Sequence, residues 1–100
     1  MIAFVRTAII NPGKTASAMA FAKTVTAHFK QHYDIELEVL VPVGGNPQRL
    51  AWSARYKDLA AVEALRDKLS GDAAYWALLE QHAADFQAGS MHDAIWKTVG

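Results

Sequence analysis

The chain has 100 residues, 52% of them hydrophobic and 20% charged, with ten basic residues balancing ten acidic ones. A net charge of zero argues against a dedicated nucleic-acid binder, which carries a basic patch or stripe. The absence of cysteine removes disulfides, thiolate metal sites and cysteine nucleophiles together.

This length predicts one domain over residues 1–100, with a thin core that buries roughly 60–65% of the unfolded surface. Lack of disulfides fits a cytoplasmic location. The opening MIAFVRTAII has neither a basic leader region nor a small-residue cleavage site, so it does not read as a signal peptide. No apolar run approaches the ~20 residues that span a bilayer, and no membrane partner is expected.

Residues 2–10 are apolar on both parities, with Ile2, Phe4, Ala8 and Ile10 against Ala3, Val5 and Ile9. That pattern predicts a strand covered on both faces, hence a central one. Asn11-Pro12-Gly13 is a turn. From about Lys14 to His32, Ala18, Phe21, Ala22, Val25, Phe29 and Tyr33 share one helical face at ~100° per residue. Ile35 to Val41 alternates as a half-buried strand, and PVGGNP closes a hairpin onto a strand carrying Leu50, Trp52, Ala54 and Tyr56.

Asp58 is placed to cap a second helix, whose apolar stripe is Val62, Leu65 and Leu69. Ser70-Gly71-Asp72 stops it, and Asp72 can cap a third helix. Tyr75, Leu78, Leu79, His82 and Phe86 keep helical spacing there, with Gly89 as a C′ residue. Met91 to Val99 is the last strand.

The order is the split β-α-β motif, so the expected class is α+β: a ferredoxin-like βαββα(α)β with an antiparallel four-stranded sheet in order 4-1-3-2. Both helical layers then cover one sheet face, and the other keeps the apolar groups of strand one. Pairing two such faces gives a homodimer, so the chain itself is the expected partner.

Four stretches carry a family resemblance: RTAIINPG, WSARYKDLAAVEAL, KLSGDAAYWALL and FQAGSMHDAIW. With them the chain resembles the dimeric α+β barrel superfamily of NIPSNAP-like and antibiotic-biosynthesis monooxygenase-like proteins, above all small bacterial members without an assigned function. The resemblance spans nearly the whole chain, and its motifs are mainly structural. It implies a sheet-on-sheet barrel with a cavity between sheet and helices in each subunit. Some members use that cavity for cofactor-free oxygenation, haem degradation or lactone chemistry. Oxygenating members hold an Asn, Trp and His set there. In this chain Asn11 and Asn46 both fall in turns, so that set is not visible.

Five residues are candidates for a site. Arg6 interrupts an apolar strand, so it needs a partner among Glu36, Glu38 and Asp93, or serves as a clamp for a carboxylate ligand. His82 lies within an apolar stripe, either as a general base in a pocket or as a core histidine bonded to a carbonyl or to Tyr75. Trp52, Tyr75 and Trp96 are candidates for the wall of an apolar pocket, with core or interface packing as the structural alternative. His28 and His32, four apart on one helix, lack a third ligand, so no metal site is assigned. No pattern calls for a cofactor, and none is expected. The expected function is binding of a small apolar or carboxylate-bearing molecule, with a cofactor-independent monooxygenase or isomerase and a purely structural dimer module as alternatives.

Overall fold

The doubly apolar strand β1 (Ile2–Ile9) lies inside the sheet, antiparallel to β3 (Arg49–Tyr56) on one side and β4 (His92–Lys97) on the other. The computed structural model describes residues 1–99. Between β1 and β3 come α1 (Thr15–Tyr33) and the short β2 (Glu38–Leu40); α2 (Leu59–Ser70), α3 (Ala73–Gln81) and a 3₁₀ turn (Ala83–Asp85) precede β4. The sheet order is β2-β3-β1-β4, as the motif predicts.

Register decides which side chains meet the helices. Arg6 lies opposite Trp52 on β3 and Asp93 on β4, and Ala8 lies opposite Leu50. Alternate residues share a face, so Ile2, Phe4, Arg6, Ala8, Leu50, Trp52, Ala54 and Tyr56 point to the helical side. The core is built there with Ala18, Phe21, Ala22, Val25 and Phe29 of α1, the helical face expected from their spacing. Val62, Leu65 and Tyr75 add the contributions of α2 and α3. The opposite face carries Ala3, Val5, Thr7 and Ile9, all partly buried, flanked by exposed Leu40 and Trp96. No described helix is long and apolar enough to cross a membrane.

Both predicted caps form. Asp58 accepts a hydrogen bond from the Ala61 amide at 2.9 Å, and Asp72 accepts one from the Tyr75 amide at 3.0 Å. Each satisfies an amide that the helix leaves free in its first turn. Asp58→Ala is therefore expected to destabilise the chain by about 1 kcal/mol, read as a lower urea midpoint at unchanged m-value.

Two elements and one glycine depart from the sequence reading. The strand expected over Ile35 to Val41 pairs only at Glu38–Leu40; Ile35 and Leu37 pack against the core without ladder bonds. Asp34, left-handed at φ 53°, ends α1, and its amide bonds back to Phe29 O. α3 stops at Gln81, so His82 is its C-cap and Phe86 lies outside it. The left-handed Gly89 (φ 75°) falls in the connection to β4 and caps no helix. Glu36 and Glu38, two of the partners expected for Arg6, lie elsewhere: Glu36 pairs with Lys30 at 3.2 Å, and Glu38 faces Ser53.

Candidate functional site

A cavity of about 380 Å³ lies between the helical face of the sheet and the helices, with walls from β1, β3, all three helices and the 82–91 connection. Its wall is mostly apolar. Arg6, Trp52, Tyr75 and His82, four of the five expected site residues, all line it. Trp96 does not: it pairs with Ala3, on the face turned away from the helices, and is 65% exposed. Trp76, half exposed, also lies outside the cavity wall; its Nε1 donates to Leu69 O at 2.9 Å and braces the α2–α3 junction.

His82 sits where α3 gives way to the 3₁₀ turn, so its backbone has left the helix. The turn is pinned to the end of β1. The Asn11 amide donates to Asp85 O at 2.8 Å, Asn11 Nδ2 to Ala84 O at 3.0 Å, and the Gln87 amide to Ile9 O at 2.8 Å. This holds the buried Asp85 carboxylate 2.7 Å from His82 Nδ1. Ser17 of α1 donates to the same oxygen at 2.7 Å, and its Oγ lies 3.3 Å from Nδ1. Burial pushes the Asp85 carboxyl up, but the hydrogen bonds from His82 and Ser17 outweigh it and hold the group below the ordinary carboxylate value. The imidazole also packs on Phe21, ring centres 5.1 Å apart. Tyr75 is not its partner; neither Ser17 nor Asp85 was visible as part of a site in the sequence.

Arg6 finds one of its three expected partners. Nε lies 2.7 Å from Asp93 Oδ1, and Nη2 lies 2.9 Å from Oδ2, a two-point pair across β1 and β4. The Asp93 hydrogen bonds raise the Arg6 pKa more than burial lowers it, and Arg6 in turn holds Asp93 low. The guanidinium fork is thus already occupied by a carboxylate of the chain. Trp52 is buried with its ring against Phe21 and Phe86, both at 5.9 Å, and its Nε1 has no hydrogen-bond partner.

A second polar cluster holds α1 to α3. Asp72 Oδ2 accepts from His28 Nε2 at 2.6 Å and from the Tyr33 hydroxyl, while its Oδ1 caps α3. The hydrogen bond from Tyr33, then that from His28, drives the Asp72 carboxyl far below its ordinary value; the same bond pushes Tyr33 up to about 12. His28 is therefore turned inward, toward α3. His32 stacks on it at 4.4 Å but remains exposed. Among the described residues no group of three or more metal-ligating side chains gathers. Asn11 and Asn46 stay in their turns, bonded to Ala84 O and to the Gln48 amide.

No family model and no curated protein matches the sequence. Solved structures do match the fold. An uncharacterized NIPSNAP domain protein from Burkholderia xenovorans superimposes with a TM-score of 0.83 at 16% identity, covering 99% of this chain and 95% of that one. A NIPSNAP family protein with unknown function from Agrobacterium tumefaciens gives 0.82 at 16% identity, over 98% and 87%. A Nitrosomonas europaea protein named as a candidate antibiotic-biosynthesis monooxygenase gives 0.76 at 15% identity, over the full length of both chains. The chain therefore has the ferredoxin-like α+β fold that NIPSNAP-domain and antibiotic-biosynthesis monooxygenase-like structures share.

Proposed function

We propose that the protein is a homodimer that binds a small, partly apolar molecule in the cavity between sheet and helices. The cavity itself carries this reading. Its volume of about 380 Å³ falls in the range of small-molecule sites, and its apolar wall is broken by a few convergent polar groups. A thermal-shift screen of apolar ring compounds tests it. A compound at about 100 times its Kd is expected to raise the melting midpoint by about 10–20 °C. Ala54→Phe, which adds a ring to the wall, is expected to shrink that shift. A broad screen without any shift overturns the reading.

The uncovered sheet face supports the homodimer. Val5 and Ile9 at its centre and Trp96 and Leu40 at its margins are apolar, while Glu38 and Arg55 share the face. A two-fold axis can bring those opposite charges together across the partner sheet. Val5→Arg buries a charge at the centre and is expected to yield a monomer in sedimentation velocity. A wild-type monomer at micromolar concentration refutes the pairing.

The pairing of His82 with a buried carboxylate favours a second reading, a cofactor-independent enzyme of the monooxygenase or isomerase kind with His82 as general base. Such an enzyme begins by taking a proton from its substrate. Exchange of the methyl-ketone protons of 2-acetylnaphthalene in heavy water, followed by NMR, should be accelerated by the wild type and not by His82→Ala. Equal exchange by both proteins removes the proposed base.

A further inference from the structure

The His82 ring is held by the protein at one nitrogen only. Asp85 is 4% exposed and its carboxylate is ionised, so Oδ2 can only accept hydrogen bonds. With Nδ1 2.7 Å away, the proton of the neutral imidazole must sit on Nδ1, and Nε2 keeps the lone pair. The Ser17 hydroxyl fills a further acceptor direction of the same oxygen at 2.7 Å and fixes the carboxylate in place. Nε2 has no partner among the described residues. It is not occluded either, since Trp52 Nε1 is the one unpartnered polar side-chain atom closed off from solvent among them. His82 lines the cavity and packs on Phe21, so a hydrogen-bond acceptor is presented at a mostly apolar wall.

The charges of the wall narrow what can meet it. Asp85 places a buried negative charge behind the ring. Arg6 is held at two points by Asp93, and the other lining cation, Arg66, is exposed on α2 and acts on Asp93. A carboxylate beside His82 would be desolvated next to the buried Asp85 charge, while Arg6 is already paired with Asp93 and Arg66 is solvated on α2.

Resting on the cavity-binding reading above, we infer that the ligand is a neutral apolar ring molecule bearing a hydroxyl, that this hydroxyl donates to His82 Nε2, and that Asp85 and Ser17 are positioning residues that fix the ring's tautomer. This departs from the carboxylate-bearing ligand considered from sequence, because the Arg6 fork is already filled.

Three probes of one shape test the inference: 2-naphthol, 2-methoxynaphthalene and 2-naphthoate, titrated calorimetrically at about pH 8. The naphthol is expected to bind about tenfold more tightly than its methyl ether, the size of one added hydrogen bond, and more tightly than the naphthoate. His82→Phe should abolish the preference and leave ether binding intact. Asp85→Asn, whose amide can donate to Nδ1, should reduce it by releasing the tautomer. Nitrogen-15 spectra of the wild-type ring give a readout that does not depend on any variant folding. Nδ1 should be the protonated nitrogen, and the Nε2 resonance should move on adding naphthol and not on adding the ether. Equal affinity for naphthol and ether, tighter binding of the naphthoate, or an unprotonated Nδ1 overturns the inference while leaving the cavity reading intact. Binding of none of the three defeats both.

Discussion

Asp72→Ala is expected to lower the unfolding free energy by about 3 kcal/mol and to flatten its pH dependence at both ends of the range. Asp72 accepts from His28, Tyr33 and the Tyr75 amide, so its loss removes a helix cap and leaves two half-buried donors without their acceptor. Hydrogen bonds to a charged group contribute about 1.5–3 kcal/mol each, and a cap about 1 kcal/mol, but they are not additive within one cluster. The sign of the pH effect differs for the two partners. The folded Asp72 carboxyl is depressed by the bond from Tyr33 and then by that from His28. Its contribution is present above the ordinary carboxylate value of about 4 and is lost as the solution is acidified below it. Tyr33 is raised from 10.0 to about 12 by its bond to Asp72. Its contribution is present below pH 10 and disappears as pH rises through 12. Urea titrations from acid to alkali should therefore show two sloping limbs in the wild type and shallower ones in Asp72→Ala, where Asp85 and Asp93 keep part of the acid limb and Tyr56 part of the alkaline one. Tyr33→Phe should shrink the alkaline limb, of which Tyr56 keeps a part, and should keep part of the acid one, because His28 remains. An alkaline limb of undiminished slope in Tyr33→Phe would contradict this account. Since α3 carries Tyr75, Leu79 and His82 in the cavity wall, the cluster also holds that wall against α1.

Leu50→Ala should produce a loss of about 2–5 kcal/mol. Leu50 is 1% exposed and is the largest fully buried side chain among the described residues, directly opposite Ala8 on the central strand. Its partner is already as small as a chiral residue can be, so the site has little side-chain volume with which to collapse. For a chain of this size each kcal/mol moves the melting midpoint by about 4–8 °C, so a fall of at least about 8 °C is expected. Val43→Ala, in the hairpin turn and 106% exposed, should change stability by less than about 0.5 kcal/mol. Comparable losses at the two positions would mean that the β1–β3 register is misassigned.

The site was less legible than the fold. Arg6 and His82 stood out because each is polar within an apolar stretch, and both line the cavity. Trp96 has the same composition signal as Trp52 but the opposite register parity, and pairing with Ala3 turns it to the uncovered face. A local reading from Tyr75 to Phe86 at helical spacing carried α3 through His82. It therefore hid the 3₁₀ turn that brings Asp85 onto the imidazole. Ile35 and Leu37 face inward as their alternation indicates, but alternation reports a direction and not whether the backbone has a partner strand.

What the sequence determined by itself is what short-range physics governs. The side-chain period placed the apolar face of α1, the acidic residues at Asp58 and Asp72 capped their helices, and two-sided apolarity put β1 in the middle of the sheet. Each depends on neighbours within a few residues or on the simple need to cover apolar surface. Tertiary structure alone decided the chemistry of the cavity. Ser17 and Asp85 are 68 residues apart, Tyr33 and Asp72 39, Arg6 and Asp93 87. Such pairs form only once sheet register and helix packing have fixed their positions, and several acidic residues were equally plausible partners until then.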